Sequence, residues 1–307
     1  MTNYVDWKFA TSAGTRLVPP GPDVSPEEAV EAVEEIRALA GQAVEPVAAT
    51  SRLRAPGDAP APLVIDRRTW IEVNAASMSG MLDPAFEAAS RRKTKEPSAA
   101  AQAVGSKITG AEAGGMLAFL STKVLGQYDL APDGDPALLL VAPNIVATER
   151  DIDAVPRDFR LWVCLHEETH RVQFTAVPWL RDHLVTNARS LAGDLMPDSE
   201  ALRTRLEQVT TQLPRVFSGD SQGLAELVIT PEQRERMAQV TAVMSLLEGH
   251  ADVVMDDVGP EHVPTVATIR ARFTKRRKGA GAVDRLLRRL LGLEAKMRQY
   301  RDGATFV

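Results

Sequence analysis

The chain has 307 residues, 44% hydrophobic and 25% charged, with a formal net charge of −5. That length can bury a large core as one big domain or two lobes, and the mild acidity gives no reason to expect nucleic acid or an anionic membrane as partner. One cysteine excludes an internal disulfide and fits a reducing cytoplasm.

Residues 1–24 are punctuated by proline and glycine and read as irregular, and Met1 to Lys8 lack the apolar h-region of a secretion signal. Ser25-Pro26-Glu27-Glu28 combines an N-cap, a first-turn proline and a capping-box glutamate, which predicts a helix to about Ala40 that Gly41 stops. Ala55 to Pro62 reads as a loop, and Asp66 starts a helix through Trp70 and Ile71 towards Arg91. Lys93 to Ala100 reads as exposed. Helices then continue to about Leu125, with Gly114-Gly115 a weak point. Gln127 to Leu130 and Ala137 to Val141, joined by Ala-Pro-Asp-Gly-Asp-Pro, predict a β-hairpin. The longest apolar run, Ala137 to Val146, is interrupted by Pro143 and Asn144 and is too short to span a bilayer. Beyond it, helices are predicted from Pro156 past Phe174, then over Pro178–Leu195, Ser199–Leu213, Pro231–Asp257, Pro264–Lys278 and Ala282–Tyr300.

The segment from Pro156 carries the chemistry. Phe159, Trp162 and Val163 have the spacing of a buried helical stripe, and its continuation reaches His166 and then His170 within His-Glu-x-x-His. Positions i and i+4 share a helix face, so both imidazoles can address one metal ion. Glu167, about 100° round the helix, is near enough to take a proton from the attacking water. The competing reading is a pair of core histidines bonded to backbone carbonyls. Cys164 lies about 200° from His166 and reads as a small core residue.

Catalytic zinc usually takes three protein ligands, so a third is needed. Met237, Val240, Met244, Ala251 and Met255 form an apolar stripe on which Glu248 and Asp252 also lie, and buried carboxylates are costly unless paired with positive charge. Glu248 is the economical third ligand, with Asp252 accepting the second ring N–H of a ligand histidine, His166 by preference. His250 and Asp252 are alternative ligands, and a buried ion pair with arginine is the structural alternative for both carboxylates.

These residues resemble the gluzincin arrangement of zinc peptidases: His166, Glu167 and His170, with Glu248 and Asp252 on a second helix 78 residues (248 − 170) further on. More narrowly, the chain resembles the actinobacterial zincin-like metallopeptidase family, through Gly126-Gln-Tyr-Asp129, His166 to Phe174, Pro178-Trp-Leu180, Leu247 to Asp252 with Met255-Asp256, and Gly292 to Lys296 with Gln299-Tyr300. The resemblance implies a chain that continues past Gly303–Val307. It also implies a strand upstream of the motif helix that binds substrate backbone by strand addition. Leu138 to Val146 is the candidate edge, and a purely structural hairpin is the alternative.

The expectation is therefore a mainly α chain of the α+β class, a multi-helix zincin-like domain with a small β-hairpin beside the motif helix. Residues 1–110 form an N-terminal helical region and residues 111–307 the catalytic region, together one compact unit. The expected function is a cytoplasmic zinc-dependent hydrolase, a metallopeptidase acting on a peptide or small amide, with no nucleic-acid or membrane partner. His166, His170 and Glu248 would bind Zn²⁺ and Glu167 would be the general base. A non-catalytic scaffold with a structural or degenerate zinc site is the alternative. Tyr128, His183, His250 and Tyr300 are candidate oxyanion donors. The cations of Arg270 to Lys278 read as a solvated helix end, and Val283 to Met297 as an amphipathic helix.

Overall fold

The computed structural model describes residues 4–57, 59–91, 98–195 and 231–278. Among them, helices dominate and three short strands form one sheet, as the expected fold class requires. The helices expected at Ser199–Leu213 and Ala282–Tyr300, with Tyr300 itself, lie outside the described residues.

The opening residues are irregular only in part: α1 spans Trp7–Leu17, while residues 18–24 carry no helix or strand. The Asp6 carboxylate caps it, accepting from Phe9 N–H at 2.9 Å. The helix then docks on α4 (Ala99–Leu120) through glycines. A Cβ added at Gly114 would lie 2.5 Å from the Ala10 carbonyl oxygen, so this glycine marks a close approach rather than a weak point.

The capping box at Ser25 starts α2 (Pro26–Ser51): the Ser25 hydroxyl accepts from Glu28 N–H, and the Glu28 carboxylate accepts from Ser25 N–H. The helix does not stop at Gly41; it continues through Pro46 to Ser51. Ala43 and Val47 lie beyond the glycine and are fully buried in the main core. Burying such side chains outweighs the roughly 1 kcal/mol a mid-helix glycine costs.

The hairpin pairs β2 (Gly126–Asp129) antiparallel with β3 (Ala137–Val141). A third strand that the sequence reading lacks, β1 (Leu63–Ile65), runs parallel to β3 from the other side, giving the order β1-β3-β2. Leu138 to Val146 is therefore not a sheet edge. β3 is the central strand, paired on both sides, and after Val141 the chain turns directly into α5 (Ala142–Asp151). The outer strand on the hairpin side is β2. Asn144 of α5 fixes the approach to it, donating to the carbonyls of Ser121 and Val124 at 2.6 Å each and accepting from Arg67.

Helix α3 covers Arg67–Arg91 and α7 covers Pro178–Leu195. At the centre lies α6 (Pro156–Ala176), whose Phe159, Leu161, Trp162, Val163, Cys164, Leu165 and Val172 are all buried. It packs against α2 on one side and α8 (Pro231–His262) on the other. Gly259, with φ of +67°, interrupts α8 near its end, a conformation glycine adopts at low cost. Asp158 then ties α9 (Val266–Lys278) to α6 by accepting from the Thr265 N–H and hydroxyl at 3.0 and 2.7 Å. Burial pushes the Cys164 thiol well above its ordinary pKa, with Glu167 and Glu168 adding to the effect, so the residue behaves as core. Three cations of α9 are engaged: Arg270 pairs with Asp252 and Asp256, Arg272 with Asp153, and Arg276 with Asp151. No described helix is long and apolar enough to cross a membrane.

Candidate metal centre

Two helices far apart in sequence meet at one point. His166 and His170 project from α6 with their Nε2 atoms 3.1 Å apart, and Glu248 of α8 places Oε2 3.7 Å from each. The three ligand atoms lie within 4.8 Å of one another. Glu248 is buried, as its place on the apolar stripe of α8 predicts.

The opposite ring nitrogens are also engaged. His166 Nδ1 lies 2.9 Å from the Met255 thioether sulfur, which can only accept. His170 Nδ1 lies 2.9 Å from Gln173 Oε1, likewise an acceptor. Both Nδ1 atoms are thus the protonated ones, and both Nε2 atoms carry lone pairs facing each other. That arrangement is repulsive without a positive centre. Burial works to lower the His170 pKa, but Glu248, then Glu167 and Gln173, outweigh it, and the value rises to about 8. A metal-free site answers the need with a proton.

A divalent ion answers it as well. Two nitrogens each about 2.0 Å from a tetrahedral zinc lie about 3.3 Å apart, close to the separation found here, and two imidazoles with a carboxylate are a zinc donor set. The residues fit a metal.

Glu167 and Glu168 divide into two roles. Glu168 is buried and makes a two-pronged ion pair with Arg171, at 2.7 and 2.8 Å, so it serves the fold. Glu167 turns towards β2. A Cβ added at Gly126 would sit 2.5 Å from Glu167 Cγ and 2.6 Å from Cδ, so the carboxylate arm rests against bare backbone. In the sequence, Gly126 stands out only as part of the family resemblance.

The Asp252 carboxylate oxygen lies 3.7 Å from the Arg270 guanidinium, and Met255 of the same helix brings its thioether to His166 Nδ1. His250 sits beside the triad rather than in it. Its Nδ1 is 2.8 Å from Gln173 Nε2, and burial together with the neighbouring His170 lowers its pKa. Of the other oxyanion candidates, Tyr128 stacks on Phe174 with ring centroids 5.1 Å apart, and burial raises its pKa. His183 packs edge-on against Trp179 on α7.

A search of curated proteins finds no significant match. Among solved structures, the chain is similar to a protein from Chloroflexus aurantiacus reported as a candidate hydrolase with a novel fold. The TM-score is 0.64 and the identity 29%, covering 98% of this chain and 85% of the other. The family model for zincin-like metallopeptidases matches residues 5–307. With two histidines and a glutamate gathered on α6 and α8, and with the match running over nearly its whole length, the chain belongs to the zincin-like metallopeptidase family.

Proposed function

We propose that this chain is a zinc-dependent peptidase in which His166, His170 and Glu248 hold the ion and Glu167 is the general base. The observation that carries the reading is the meeting of His166 Nε2, His170 Nε2 and Glu248 Oε2. When bound, zinc supplies the Lewis acidity that makes water a nucleophile near neutral pH and polarises a carbonyl. Three protein donors among the described residues leave a coordination position for chemistry, whereas structural zinc is closed by four.

The chain's own groups supply the rest. Glu167 is buried and held against Gly126, a setting that keeps its carboxylate in one place and limits competing water. It takes the proton of the attacking water and returns it to the leaving amine. Gly126 belongs to the outer strand β2, so a peptide lying along that strand as an added strand would bring a carbonyl past Glu167. β2 replaces β3 as the backbone-binding element. The chain works in the cytoplasm on peptides or small amides, without nucleic acid or membrane.

The test is Glu167→Gln. Zinc measured by elemental analysis, on protein purified without a metal-affinity tag, stays at one ion per chain as in the parent. Turnover of a peptide library falls about 10²–10⁴-fold, the range for loss of a general base. Absence of zinc from the parent, or unchanged turnover in the variant, would overturn the reading.

A further inference from the structure

Gln173 is a buried polar residue that touches more than one histidine. Its side-chain amide makes three contacts of 2.8–2.9 Å: Oε1 with His170 Nδ1, Nε2 with the Leu247 carbonyl, and Nε2 with His250 Nδ1. The Leu247 carbonyl can only accept, so the amide nitrogen must face it, which fixes the orientation of the amide. Oε1 then faces His170 and can only accept, so His170 must carry its proton on Nδ1. The second amide hydrogen points at His250 Nδ1, which must be bare, so neutral His250 carries its proton on Nε2.

We propose that Gln173 is a positioning residue that sets two histidine tautomers at once. It keeps His170 Nε2 bare for the metal and keeps His250 as an Nε2–H hydrogen-bond donor beside the centre. This rests on the reading of His170 as a metal ligand. One residue thus holds the ligand on α6 and the donor on α8 in complementary states. Glutamate in its place would still accept from His170 but could no longer donate to His250. Methionine would do neither.

The experiment is long-range ¹H–¹⁵N NMR of metal-free, ¹⁵N-histidine-labelled protein over a pH series, read where the histidine rings are neutral. The chain has five histidines, and His250→Gln assigns the His250 signals. The parent should show His170 protonated at Nδ1 and His250 at Nε2. In Gln173→Glu, His250 should acquire a proton on Nδ1 while His170 stays as it was. In Gln173→Met, zinc affinity should fall about 10–100-fold, the usual effect of removing a ligand's hydrogen-bond partner, and in Gln173→Glu much less. A His250 pattern unchanged by Gln173→Glu, His170 protonated at Nε2 in the parent, or equal zinc affinity in parent and Gln173→Met would each overturn the proposal. If Gln173→Met does not fold, the parent and Gln173→Glu spectra decide. These spectra need neither metal nor substrate, so they succeed or fail separately from the peptidase reading.

Discussion

At Gly126 the missing side chain has a chemical consequence. Glu167 occupies the space where a Cβ would stand, and the atoms in conflict are the far end of a flexible arm, not backbone. Gly126→Ala should therefore leave the fold and the zinc content intact while displacing the carboxylate. A displacement of about 1 Å can cost about 10²-fold in rate, so kcat should fall about 10–100-fold at unchanged zinc per chain. Unchanged kcat, or simultaneous loss of metal, would contradict this role. His170 makes a second prediction. Its pKa of about 8 exceeds the ordinary 6.5, so in metal-free protein its stabilising proton is fully present below about 6.5 and is lost as pH rises through 8. The difference corresponds to about 2 kcal/mol. Zinc affinity runs the other way, rising over the same window because the ligand must be deprotonated. Thermal melts and zinc titrations across that window check both slopes, and parallel slopes would contradict the assignment. The histidines and Glu248 were legible because polar residues on apolar stripes stand out. Gly126 was not, since a glycine carries no sign of what leans on it from 41 residues (167 − 126) away. Met255 and Gln173 were hidden differently: a thioether acceptor looks like core, and an amide three residues past a histidine looks like surface.

The elements that position the centre differ in how openly the sequence declares them. Helix α6 declares itself by Pro156 and a continuous buried stripe, and the hairpin by its turn. Helix α1 is obscured because its glycine serves contact rather than a turn: Gly14, with Gly114 of α4, lets the two helices approach within backbone distance. Gly114→Leu should force the helices apart, since the Cβ would meet the Ala10 carbonyl, which cannot move aside cheaply. Stability should drop by about 1–3 kcal/mol, as overpacking usually costs, while zinc stoichiometry is kept, because neither α1 nor α4 contributes a ligand. Denaturant melts beside metal analysis check it, and a variant as stable as the parent would contradict the close-approach reading. Helix α2 outran its expected end because local propensity at Gly41 and Pro46 is outweighed by burial of Ala43 and Val47, a tertiary effect invisible in a local window. β1 went unread because three residues beside a loop carry no period, and its partner β3 lies more than seventy residues away.

At the scale of the molecule, α2 and α8 both pack on α6, and the candidate centre lies where α6 meets α8. The fold presents His166 and His170 from a helix buried in the core, sets Glu248 opposite them, and brings the outer strand β2 alongside Glu167. Rigidity here follows from burial, because the same stripe that carries the ligands also carries Phe159, Trp162 and Val163. The most direct measurement is anomalous diffraction at the zinc edge from crystals of the zinc-loaded chain. The predicted result is one ion per chain, about 2.0–2.2 Å from His166 Nε2, His170 Nε2 and a Glu248 oxygen, with the remaining position held by water. An ion bound elsewhere, or a fourth protein ligand closing the shell, would contradict a hydrolytic centre at this site.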